Sequence, residues 1–138
     1  MNRVARWVLA LAVLQGGASV ASADDLTGAD KFLCAPMIAN TCYPDEGCEP
    51  KGPWAANLPF FIEVDLKAKR LSTTEASGLN RATDIKNLLR EDGLIILQGY
   101  QMRRAFSFVI TEASGIATVS VSGDDEGVVV FGACTPKP

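Results

Sequence analysis

The chain has 138 residues, a net charge of −3 and no histidine. The missing imidazole excludes Ser-His and Cys-His nucleophilic arrangements and removes the commonest general base. The acidic balance argues against nucleic acid as a partner, because phosphate binding rests on a basic surface.

Residues 1–23 read as a signal peptide. Arg3 and Arg6 precede the apolar run from Trp7 to Leu14, a Gly/Ser stretch follows, and Ala21-Ser22-Ala23 stands ahead of Asp24 as a small-x-small cleavage site. The apolar run is far short of the roughly 20 residues a spanning helix needs, so release is expected, with no transmembrane anchor in the mature chain. Two of the 13 basic residues lie in this leader, leaving 11 against 16 acidic ones and a net charge of −5 in a single exported domain. The expected location is the periplasm or the medium.

Residues 24–58 form a Cys-rich N-terminal arm with several Pro and Gly and no sustained periodicity. Export permits disulfides, and the four cysteines allow three pairings. The preferred one joins Cys34 to Cys134, tying the arm to the last strand, and Cys42 to Cys48, closing a small loop. The spacing is not that of a zinc ribbon and no histidine completes a mixed site, so no metal is expected. Asp45, Glu46 and Glu49 lack the regular oxygen spacing of a calcium loop.

Residues 59–138 read as an antiparallel β domain. From Pro59, the residues Phe60, Ile62, Val64 and Leu66 alternate with Phe61, Glu63 and Asp65, predicting a strand with one wet face. A turn at residues 67–69 and a returning strand over 70–74 follow. Residues 83–92 fit a helix through Ile85, Leu88 and Leu89 with Thr83 as N-cap, or a strand whose turn at 90–93 leads into Leu94-Ile95-Ile96-Leu97. The strand is preferred in so β-rich a chain. Gly99 marks a crowded position or a bulge. Phe106, Phe108 and Ile110 face together, as do Ala117, Val119 and Val121 across a short loop at Gly115. About seven strands joined in sequence order predict an all-β antiparallel meander, closed or nearly closed into a small barrel with a disulfide-tied arm.

Nothing in the pattern is catalytic, and no cofactor motif is present. Glu63 with Asp65 and Asp124 with Asp125 are explained by a wet strand face and a turn. Lys67, Lys69 and Arg70 in one turn and Arg103 and Arg104 in another would form a cationic patch for an anionic ligand if both turns fell at one rim. Trp54 and Tyr100, with Met102, would add contact area for a partner.

The runs Phe60-Phe61-Ile62-Glu63-Val64-Asp65-Leu66 and Gly93-Leu94-Ile95-Ile96-Leu97-Gln98-Gly99, with Ser114-Gly115 and Phe131-Gly132-Ala133-Cys134, resemble uncharacterised small exported β-barrel proteins of alphaproteobacteria. That resemblance spans residues 59–134 and implies a fold, with no activity attached. In outline the chain is also similar to the periplasmic inhibitors of c-type lysozyme, which are small disulfide-tied antiparallel barrels. The expectation is therefore a non-catalytic periplasmic or secreted binding protein whose partner is an envelope protein or an anionic ligand. Inhibition of an envelope-directed enzyme is one form of that role. The alternative is a small barrel carrier of an apolar ligand, with Phe106, Phe108, Ile110, Val119 and Val121 lining a cavity.

Overall fold

Alternation of apolar and polar residues builds nearly the whole chain into strands. The structure, a computed structural model, describes residues 24–137; residues 1–23, on which the expected signal peptide falls, lie outside them. The strands are β1 (Lys31–Tyr43), β2 (Gly47–Lys51), β3 (Ile62–Asp65), β4 (Arg70–Thr73), β5 (Ala82–Glu91), β6 (Leu94–Gln101), β7 (Arg104–Thr111), β8 (Ile116–Ser122) and β9 (Gly127–Pro136). Eight of them, β1 and β3 to β9, close into an antiparallel barrel, because β1 pairs with both β3 and β9. β2 is an additional strand folded back on the second half of β1.

The closing strand comes from the Cys-rich segment. Residues 24–58 are an appendage in the sequence reading, yet β1 lies between β3 and β9 and completes the wall that residues 59–138 leave open. Both disulfides join the preferred partners, Cys34 with Cys134 across the β1–β9 seam and Cys42 with Cys48 across the β1–β2 hairpin.

Inside, Phe32 of β1 shares one buried core cluster with Val64, Ile95, Leu97, Ile110, Val128 and Val130. Each fully buried side chain of this size contributes about 1.5–3 kcal/mol. An eight-stranded barrel is just wide enough for side chains to fill it or to leave room for one small ligand. At Gly99 of β6 an added Cβ would stand 2.4 Å from the Phe106 ring and 2.8 Å from the Asp84 carbonyl. The β5 register shifts opposite this point, between Ile85 and Asn87.

Of residues 83–92, all but Asp92 are strand, in β5, and the turn falls at Asp92-Gly93. The strand expected from Pro59, however, starts only at Ile62, and Phe60 is 54% exposed. Asn57 takes a left-handed conformation (φ 57°), and pairing with β1 begins only where Ile62 stands opposite Cys34. Residues 57–61 consequently precede the wall instead of belonging to it.

Because the barrel is a meander, its turns alternate between two ends. One end is closed by the segment before β1. Leu26 is fully buried there, its N–H donates to the Glu112 carbonyl at 2.7 Å, and its own carbonyl accepts from Ala29 and from Arg90 Nη2. Arg90 also pairs with Glu112 and Asp30. Gly115 (φ 65°) lets this plug approach, since a Cβ would meet the Cys134 carbonyl at 2.2 Å and the Asp24 carbonyl at 2.7 Å.

A candidate binding cavity at the open end

The other end is open because β3 and β4 are only four residues long, against seven to ten in β5 to β9. Beyond Ile62 and Thr73 the wall gives way to residues 57–59 and to Arg81 just ahead of β5, and an apolar cavity of about 110 Å³ enters the barrel there. Phe106, Phe108, Val119 and Val121 line it; Ile110 lies deeper, fully buried in the packed half. The interior is thus divided: packed toward Leu26, hollow toward the mouth.

A cover crosses part of the mouth. The 3-10 turn Pro53–Ala56 buries Pro53 and Ala56 and leads into Leu58, which packs on the core. Two arginines from the barrel hold this cover. Both terminal nitrogens of Arg104 donate to the Ala56 carbonyl at 3.3 Å, and Nη2 pairs with Glu126 at 2.8 Å. Arg104 Nε is buried without a hydrogen-bond partner among the described residues. Arg81 donates through Nη1 to the Asn57 carbonyl at 3.0 Å and through Nη2 to Asn57 Oδ1 at 2.6 Å. The left-handed conformation of Asn57 belongs to the cap of the 3-10 turn, and the two bonds clamp it at that point.

Exposed apolar side chains accompany the mouth. Met102, 61% exposed, lines the cavity from the β6–β7 turn. Trp54 and Phe60, exposed to 65% and 54%, lie with ring centroids 6.2 Å apart on either side of the lining segment 57–59 in the chain. The outer barrel wall carries a second apolar feature, the in-register row Leu89, Ile96, Val109, Thr118, Phe131 and Ile38. That row bends round six of the eight barrel strands, so it is convex and a flat partner meets only part of it.

The two basic turns, which would have made one patch had they shared a rim, are at opposite ends. Lys67 and Lys69 sit in the β3–β4 turn at the closed end and Arg70 opens β4 beside them; Lys67 pairs with Asp30 at 2.8 Å. The hydrogen bond from Lys67 to Asp30 raises the lysine's pKa above its ordinary value. Arg103 and Arg104 sit at the open end, each with an acidic partner, Asp124 and Glu126. Tyr100 is exposed on the outer wall, with Gly99 taking the inward position beside it. Trp54 and Arg104 therefore belong to the open end, whereas the lysines do not. Arg81 and Asn57 were not among the residues expected at a site; a lone arginine closing a polar loop carries no periodic or motif signal.

Among the described residues, no three or more Cys, Asp or Glu side chains come together as a metal site would require. No helix among them is long and apolar enough to cross a membrane. Comparison of the chain with protein-family models, curated proteins and solved structures returns no match.

Proposed function

We propose that the protein is a non-catalytic binding protein of the periplasm or medium whose open barrel end receives an apolar group from a macromolecular partner. The observation that carries this reading is the 110 Å³ apolar cavity opening beside exposed Met102, Trp54 and Phe60. Buried pockets surrounded by aromatic and Met side chains are where binding energy concentrates at interfaces. Two disulfides suit an oxidising compartment and hold the site rigid, which limits the ordering lost on association. An envelope-directed enzyme as the partner would make the protein its inhibitor.

Size separates this from the carrier reading. Pockets for drug-sized ligands run to about 300–1,000 Å³, whereas a cavity of about 150 Å³ takes a benzene. The cavity here matches one side chain or one small ring, and a ligand of that size would leave Trp54 and Phe60 uncovered.

A photo-crosslinking residue at Met102, compared with one at Lys67 on the closed end, tests the assignment in exporting cells. The expected result is an adduct from position 102 that position 67 does not give and that disappears when Leu58→Trp fills the mouth. Equal adducts from both ends, or none from position 102, would remove the open end as the binding face.

A further inference from the structure

Among the described residues, Arg81 and Arg104 are the only charged side chains lining the cavity. Arg104 is neutralised by Glu126 at 2.8 Å. Arg81 is half-buried and has no carboxylate within ion-pair distance among the described residues. Its position is nonetheless tightly fixed. The backbone N–H donates to Thr73 Oγ1 at 3.0 Å, the carbonyl accepts from the Thr73 N–H at 2.9 Å, and the guanidinium is held by both oxygens of Asn57. A guanidinium has five N–H donors, so the grip of Asn57 leaves donors over. The result is one uncompensated, preorganised cation at the mouth of an apolar cavity.

Resting on the open end as the binding face, we infer that the group received there carries a carboxylate, and that the partner presents a polypeptide C-terminus with an apolar last residue. The side chain fills the cavity, the α-carboxylate accepts from Arg81, and the preceding residues lie against Trp54, Phe60 and Met102. A single unpaired cation matches a monoanion, and guanidinium geometry suits the planar carboxylate. Capture of a chain end supplies both parts from one residue, side chain and anion being joined at a single Cα.

The test is a titration of the disulfide-bonded protein, followed through the backbone amide shifts of the cavity residues. Three probes are compared: an N-acetylated tripeptide ending in Phe with a free carboxylate, its C-terminal amide, and 3-phenylpropanoate. The free peptide should bind about tenfold more tightly than the amide, a factor in the range of one charge-assisted hydrogen bond. Arg81→Gln should collapse that acid-to-amide ratio toward one, a readout independent of any loosening of the cover. Val121→Phe, or Leu58→Trp at the less buried mouth, should remove the shifts for both peptides. Equal affinity for acid and amide in the wild type would overturn the carboxylate assignment while leaving the open end in place. Binding of 3-phenylpropanoate as tight as that of the peptide would overturn the chain-end assignment in favour of a free acid. Absence of shifts at cavity residues with every probe would overturn both this inference and the reading it rests on.

Discussion

The two ends of the barrel are made from the same eight strands and differ in how they are finished. At the closed end a single leucine, Leu26, enters the interior, and every polar group that accompanies it is bonded, through Glu112, Ala29 and Arg90. At the open end, among the described residues, Leu58 packs only partly over the interior and a cavity remains, because two strands stop after four residues and the segment that follows β2 only partly crosses the gap. The lesson is that closure of a small barrel requires a plug as well as a complete strand count. The buried plug is where stability is expected to concentrate, and the cavity at the other end is where binding is proposed.

The largest expected effect comes from the seam that closes the wall. Cys34 and Cys134 are buried and 100 residues apart in sequence, and the chain-entropy model gives about 4.7 kcal/mol for a loop of that length. Cys134→Ser should therefore lower Tm by more than about 10 °C in a thermal scan and leave Cys34 as the free thiol in peptide mapping. Cys42 and Cys48, six residues apart at the open end, close a short loop worth about 2 kcal/mol by the same relation. Equal losses from the two disulfides would contradict the chain-entropy account of the seam. Next in size is Leu26→Ala, which should cost about 3 kcal/mol in denaturant unfolding, within the range for a buried leucine. Trp54→Ala at the open end should stay within about 0.5 kcal/mol, as exposed substitutions do, while weakening any adduct formed from position 102.

Much of this architecture was legible because hydrophobic alternation and cysteine placement are local signals. Phe106, Phe108 and Ile110 face the interior as their spacing requires. β1 escaped notice because its phase changes: Phe32 and Cys34 point inward on even positions, and after the irregularity between Pro36 and Ile38 the inward residues are Ala39 and Thr41. No single period fits such a strand. The separation of the basic turns was available in principle, since turns of a meander alternate ends and the β3–β4 and β6–β7 turns are three apart. That count depends on residues 83–92 being a strand, since a helix there would change the parity. Arg81 was beyond reach from sequence, since its role depends on Asn57, 24 residues away, and on a gap created by strands that end early.

The smallest effect sharpens the comparison through pH. At the closed end, Asp65 Oδ1 accepts the Ala68 N–H at 2.9 Å and Oδ2 faces Lys31 at 3.2 Å. The Ala68 hydrogen bond first, and then Lys31, hold the Asp65 carboxyl below the ordinary aspartate value. Asp25, beside the plug, is lowered as well through its hydrogen bonds with Thr27. A carboxyl whose folded pKa lies below its unfolded value of about 3.9 binds fewer protons when folded. Its contribution is present above that value and is lost as pH falls through the folded one. The Tm difference between wild type and Asp65→Asn should accordingly be constant from neutral pH to about pH 5, shrink below about pH 4, and vanish once both states are protonated. The guanidinium of Arg81 does not titrate, so the Tm difference between wild type and Arg81→Gln at the open end should stay flat across the same range. A pH-independent difference for Asp65→Asn would mean that the turn is held by its backbone geometry rather than by the charged carboxylate. A pH-dependent difference for Arg81→Gln would mean that an acidic group faces the cavity mouth after all.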